Sequence, residues 1–144
     1  VIVLRTFSKI YGLAGLRIGY GVTTPEIARY LNQVRPPFNT NSLAQRAALA
    51  ALGDEEHVAK SRAMNQTEMA SLRAGLLSLG LKPLPSEANF LYFDVGRDGR
   101  LVFEALLREG VIVRHIHGNY LRVTIGLPEE NRQFLKALKN VLGR

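Results

Sequence analysis

From Glu55 to about Leu79 the chain carries a single glycine, Gly75, and no proline. Apolar residues fall at Val58, Met69, Leu72, Leu76 and Leu79, a spacing that predicts one long helix with one apolar stripe. Such a helix is longer than a compact domain of 144 residues ordinarily needs, so it implies a connecting element between two lobes. Everything else in the sequence is then sorted by which side of that helix it lies on.

Ahead of it, Val1 to Leu4 reads as a strand buried on both faces and Arg17 to Val22 as a second strand, with Gly12, Gly15, Gly19 and Gly21 between and within them. Thr24, Pro25 and Glu26 predict a helix start, and Pro36-Pro37 a stop. Ser42 and Gln45 have the spacing of a capping box for an Ala/Leu-rich helix, which Gly53 closes in the left-handed conformation before Asp54 opens the long helix. Beyond it come a strand from Asn89 to Val95, a helix from Leu101 to Arg108 closed by Gly110, strands Val111 to Ile116 and Tyr120 to Ile125, and a helix from Pro128 to Leu142 ended by Gly143. Gly118-Asn119 makes the last two strands an antiparallel hairpin. The sequence opens on an apolar, β-branched run with no Met before it, which suggests a piece of a longer polypeptide.

Composition narrows the chemistry. With no cysteine there is no disulfide, thiolate metal site or Cys nucleophile, which fits a cytoplasmic setting. No apolar stretch is long enough for a membrane helix. Nineteen Lys and Arg against twelve Asp and Glu give a net charge of +7, yet the cations are scattered among acids, as in Arg97-Asp98-Gly99-Arg100. Nucleic-acid binders concentrate their cations into a patch or stripe, so a solvated basic surface, suited at most to an anionic small molecule, is the better reading.

The stretch from Thr6 to Tyr20 carries the chemistry. Lys9 follows a strand directly and sits in a loop of small and hydroxyl residues, where partial desolvation favours the neutral amine that attacks a carbonyl. Thr6 and Ser8 add hydroxyls, Arg17 adds a planar cationic fork, and the glycines let backbone approach a ligand closely. Neither a P-loop nor a G-x-G-x-x-G dinucleotide motif is present.

The run Ser8-Lys9-Ile10-Tyr11-Gly12-Leu13-Ala14-Gly15-Leu16-Arg17-Ile18-Gly19-Tyr20 resembles the lysine segment of the fold-type I, pyridoxal-phosphate-dependent aminotransferases, most closely their histidinol-phosphate aminotransferase branch. The segments Pro37 to Ser42, Pro85 to Phe90 and Tyr120 to Gly126 resemble later parts of the same family, so the likeness covers the whole chain and matches the C-terminal two-fifths or so of a member. The resemblance implies an α/β fold: the last strands of a large-domain sheet in residues 1–53, then in 54–144 a connecting helix and a small α+β domain with an antiparallel hairpin. It implies pyridoxal 5'-phosphate as cofactor, with Lys9 as the catalytic residue that binds its aldehyde and shuttles a proton. Ser8, Arg17 and Thr6 would hold its phosphate. No metal is implied.

By the same resemblance Arg122, on a strand between apolar neighbours, binds the carboxylate of glutamate in one half-reaction and the phosphate of histidinol phosphate in the other, with Arg114 as a second anion-binding residue. A desolvated guanidinium without a partner costs several kcal/mol, so Arg122 binds such an anion, pairs with a structural carboxylate, or snorkels to solvent. The implied enzyme exchanges an amino group between histidinol phosphate and 2-oxoglutarate or glutamate in histidine biosynthesis, works as a homodimer, and takes its pyridine-nitrogen carboxylate and stacking aromatic from sequence ahead of the lysine. The segment alone would be inactive. Threonine-phosphate decarboxylase and aromatic aminotransferase are rivals on the same fold, and a non-enzymatic basic domain is the rival of another class.

One feature departs from the family pattern: the connection before Tyr120 is short. A three-residue loop, His117 to Asn119, would set Arg114 opposite Arg122 on one face, whereas a two-residue loop would set them on opposite faces. His115 and His117 lack a convincing third metal ligand and read as hairpin residues. His57 reads as solvated, and Tyr11 and Tyr20 as packing aromatics.

Overall fold

The computed structural model describes residues 1–144, which form two compact units, Val1–Arg62 and Ala63–Arg144. The long helix is present as one element, α3 (Glu55–Ser78), and the boundary between the units falls inside it.

In unit 1, β1 (Val3–Thr6) and β2 (Gly19–Val22) pair antiparallel, with Val3 opposite Val22 and Thr6 opposite Gly19. The expectation of a strand buried on both faces is not met: Val1 is 98% and Leu4 75% exposed. A strand is buried on both faces only when a layer covers each, and none in this unit covers β1. The second strand starts at Gly19 rather than Arg17, because Arg17 has left-handed backbone (φ 54°, ψ 53°) closing a 3-10 turn at Ala14–Leu16. At Gly19 a Cβ would lie 2.6 Å from the Arg5 carbonyl oxygen, so the pairing of β1 with β2 requires glycine there.

α1 (Pro25–Val34) starts as expected, the Thr24 side chain accepting from the Ile27 amide, and α2 (Ser42–Leu52) follows. The capping box at Ser42 is corrected by one residue: Asn41 is the N-cap, its Oδ1 accepting from the Ala44 amide at 2.8 Å, while Gln45 donates to the Thr40 carbonyl. Asn and Ser cap comparably well, and the tertiary path selects the first of the two. Gly53 closes α2 with φ −89°, not left-handed, because Asp54 begins the next helix at once and accepts from the His57 amide at 3.0 Å.

Unit 2 is a three-stranded antiparallel sheet of β3 (Phe90–Asp94), β4 (Arg114–His117) and β5 (Tyr120–Thr124), in the order β3-β5-β4. The C-terminal part of α3, with α4 (Gly99–Arg108) and α5 (Pro128–Leu142), supplies the helical side of the core. Alternation along β5 sends Leu121 and Val123 into that core and leaves Tyr120 and Arg122 half-buried on the other face. Leu72, Leu76, Leu91, Phe93, Leu106 and Leu138 complete the centre, each contributing about 1.5–3 kcal/mol by leaving water. Only Leu72 and Leu76 of the α3 stripe are fully buried; Val58 belongs to unit 1. At Gly75, where α3 meets α5, a Cβ would meet the Leu135 side chain, which would have to shift to admit it. The strand expected from Val111 starts at Arg114, and Val111 and Val113 still reach the core from the extended connection before it.

Candidate functional site

The candidate residues fall into two groups of side chains, one in each unit. In unit 1 the backbone leaves β1 at Thr6 and turns sharply. Phe7 is buried, its ring packed against Tyr11 and Tyr20 at 4.9 and 5.9 Å, so both tyrosines pack as expected. The Thr6 hydroxyl accepts from the Ser8 amide at 3.0 Å, and the Gly12 amide donates to the Lys9 carbonyl at 2.9 Å, closing a β-turn whose first residue is Lys9. Gly12 sits at φ 70°, a conformation glycine adopts without strain. Lys9 is exposed, so the residues of this chain do not supply the desolvation expected from its strand-end position.

Arg17 donates to the Ala14 carbonyl at 2.8 Å, which leaves the rest of its guanidinium free. Left-handed backbone at a non-glycine residue costs about 1 kcal/mol or more and concentrates at functional sites. Thr6 already spends its oxygen on the Ser8 amide, leaving its hydroxyl proton to give, whereas the Ser8 hydroxyl has no protein partner. The free donors around this turn are therefore an amine, a guanidinium and hydroxyls, a set that fits a phosphorylated aldehyde such as pyridoxal phosphate.

In unit 2, Arg122 lies on the helix-free face of the sheet. It pairs directly across from Tyr92 on β3 and from Arg114 on β4. Its guanidinium stands 4.9 Å from the Phe90 ring centre, and its Nε is buried without a hydrogen-bond partner. The one ion pair in the chain is Arg100–Glu104, so neither Arg122 nor Arg114 has a carboxylate partner. That removes the structural-carboxylate reading of Arg122. Two facing cations repel unless an anion lies between them, and the buried Nε of Arg122 is a donor left unused.

The hairpin reaches this arrangement by a route that neither expected loop length described. His117 pairs with Tyr120, leaving a two-residue turn, Gly118-Asn119, and a bulge between His115 and His117 then shifts the register so that Arg114 faces Arg122. The two histidines serve the hairpin: His115 bonds the Gly118 carbonyl at 3.0 Å, and His117 Nε2 lies 3.1 Å from the Tyr92 hydroxyl. Tyr92 stacks on Tyr120 at 4.9 Å, and this burial, with smaller contributions from Tyr120 and Asp94, raises its phenol above the ordinary tyrosine value.

Contacts of three residues come from the structure alone. Phe90 beneath Arg122 is apparent only once β3 and β5 are in register. Asn131, 4% exposed, bonds both backbone groups of Gly126 and donates to Glu68 at 2.8 Å, tying the end of β5 to α3. Its position in register with Phe134, Leu138 and Leu142 on α5 was the available signal. His57 is exposed as expected, and through Nε2 it also lies 3.0 Å from the Ile10 carbonyl.

Residues 1–138 match the family model described as aminotransferase class I and II, and the chain belongs to that family. It is 56% identical over its whole length to histidinol-phosphate aminotransferase 2 of Pseudomonas fluorescens (strain Pf0-1) and 58% identical over 99% of its length to histidinol-phosphate aminotransferase of Moorella thermoacetica. These alignments cover 40% and 38% of the two proteins, so the chain spans about two-fifths of the length of the relatives it matches. Among solved structures, histidinol-phosphate aminotransferase from Sinorhizobium meliloti in complex with pyridoxal-5'-phosphate superposes with a TM-score of 0.91 at 31% identity, over 99% of this chain and 41% of that one. No helix here is long and apolar enough to cross a membrane.

Proposed function

We propose that this chain is the C-terminal portion of a pyridoxal-phosphate-dependent histidinol-phosphate aminotransferase, cytoplasmic and homodimeric, exchanging an amino group between histidinol phosphate and 2-oxoglutarate or glutamate. The observation that carries this reading is the partnerless state of its conspicuous cations: Lys9, Arg114 and Arg122 have neither carboxylate nor hydrogen-bond partner. The relatives' names and the cofactor bound in the Sinorhizobium meliloti structure support the choice of anions.

The cofactor, when bound, supplies the electron sink that lets a bond at the amino acid's α-carbon be broken. In this reading Lys9 Nζ would hold the group at its aldehyde carbon and would also serve as the base that moves the α-proton. Ser8 and Arg17 hold its phosphate, with Thr6 orienting the Ser8 backbone and offering its own hydroxyl. Arg122 and Arg114 hold the substrate carboxylate or phosphate, and the planar fork of Arg122 accepts either anion. Phe90, against the Arg122 guanidinium, limits its freedom before substrate arrives.

Borohydride reduction of the complete enzyme with pyridoxal phosphate, followed by peptide mapping, tests the reading: the adduct is expected on Lys9 and is expected to vanish in Lys9→Ala. Assays with histidinol phosphate, aromatic amino acids and threonine phosphate fix the substrate. Release of carbon dioxide from threonine phosphate would replace the aminotransferase reading by the decarboxylase one. Salt-dependent binding to unrelated oligonucleotides with no adduct at Lys9 would replace both by a non-enzymatic basic domain.

A further inference from the structure

The turn that carries Lys9 has a tie that the proposed chemistry leaves unused. Lys9, Ile10, Tyr11 and Gly12 form the β-turn described above, and the carbonyl of Ile10, in its middle, takes no backbone hydrogen bond. Its partner is Nε2 of His57, 3.0 Å away and 47 residues later in the chain. A carbonyl oxygen only accepts, so Nε2 carries the proton, a condition met by one neutral tautomer and by the imidazolium alike. The Ser61 hydroxyl lies 3.4 Å from the same nitrogen and flanks the contact from one helical turn further along α3. His57 is itself fixed, because its amide donates to the Asp54 cap at the start of α3.

Lys9 is therefore held from two sides. Two residues before it, Phe7 anchors the loop by burial; one residue after it, Ile10 is bonded to the first turn of a 24-residue helix. The Gly12 amide on the Lys9 carbonyl closes the turn on itself, and the His57 bond is what joins that turn to another element of the unit, since the exposed Lys9 side chain has no ion-pair partner. An amine that must leave an aldehyde carbon and return to it in every cycle needs its Cα held in place, and small misplacements of a reacting group cost rate out of proportion to their size. We propose that His57 is a positioning residue for Lys9, acting through the Ile10 carbonyl rather than by touching cofactor or substrate.

This inference rests on the reading of Lys9 as the cofactor-binding amine, and the experiment separates the two. In the complete enzyme, His57→Phe keeps a ring of similar size without the donor, and His57→Gln restores an N–H near the place of Nε2. The rate at which pyridoxal phosphate is trapped on Lys9 by borohydride, and the kcat and KM for the amino donor, are measured for wild type and both variants. The expectation for His57→Phe is a loss of about tenfold in trapping rate and in kcat, with KM within about twofold and His57→Gln recovering most of both losses. A His57→Phe enzyme equal to wild type in trapping and kcat overturns the inference while leaving the Lys9 reading intact. The same holds if His57→Gln falls as far as His57→Phe, because then the donor is not what matters. Absence of any Lys9 adduct in the wild type overturns the reading itself, and this inference with it.

Discussion

In unit 2 the helices close over one face of the sheet and exclude Leu91, Phe93, Leu121 and Leu138 from water, whereas in unit 1 the apolar side chains buried are Phe7, Ala44 and Ala48. The two units thus hold their candidate site residues by different means. Arg122 is placed by a strand whose alternate side chains are locked in a core, so its orientation follows from burial. Lys9 is placed by turn geometry, a hydroxyl on a backbone amide and the His57 tether, with little burial behind them. In the proposed reading, rigidity by packing suits Arg122, which would only clamp an anion, whereas Lys9, which would detach and return, is better served by a few directional bonds that fix the backbone and leave the side chain free.

The sharpest way to break this comparison is truncation of equivalent side chains. Leu121→Ala is expected to cost about 3 kcal/mol in denaturant unfolding, the cavity adding to the lost transfer energy. Leu4→Ala, at a residue three-quarters exposed here, is expected to stay within about 0.5 kcal/mol. A loss at Leu4 in the complete protein as large as that at Leu121 would show that residues outside this chain cover β1 and that the contrast belongs to the fragment alone. Next in size, Asn131→Ala removes the partner of both Gly126 backbone groups and of Glu68. It is expected to cost about 2 kcal/mol by the same measurement, testing whether a polar knot matters inside the packed unit.

Smaller effects sharpen the picture. Asn41→Ala is expected to lower stability by about 1 kcal/mol and Ser42→Ala by less, because Asn41 is the residue whose side chain caps α2. The smallest effect concerns pH. The Tyr92 phenol is raised in the folded state, so the stability it contributes is fully present below the ordinary tyrosine value near pH 10 and is lost as pH rises through the folded value. Phenolate absorbance during alkaline titration is expected to contain a late component that Tyr92→Phe removes, with no effect on stability near neutrality.

How much of this was legible beforehand varied with the range of the interaction involved. The bounds of α5 were readable because Pro128 opens it and Gly143 closes it, both by strictly local backbone preferences. The continuous α3 was readable from its lack of breakers. Capping of α2 slipped by one residue because Asn41 and Ser42 are adjacent and equally competent. Val111 and Val113 read as strand because they are β-branched and buried, yet what they occupy is an extended connection without a ladder partner. The resemblance points to Lys9, Ser8 and Arg17 through one contiguous run and to Arg122 through another, Tyr120 to Gly126. The contacts of His57 with Ile10, Phe90 with Arg122 and Asn131 with Glu68 are not legible in the sequence because each joins residues tens of positions apart.

The bulge around Ile116 carries one more consequence. Side chains on a strand alternate, so the face on which Arg114 emerges is a matter of odd or even, and the extra residue in the hairpin arm restores the parity that the tight Gly118-Asn119 turn would otherwise have inverted. Insertions and deletions in this arm are thereby quantised: removing one residue would swing a guanidinium toward the hydrocarbon side of the layer, while removing two would leave it outside. Length variation here is tolerable in even steps, or in odd steps that bring a compensating kink.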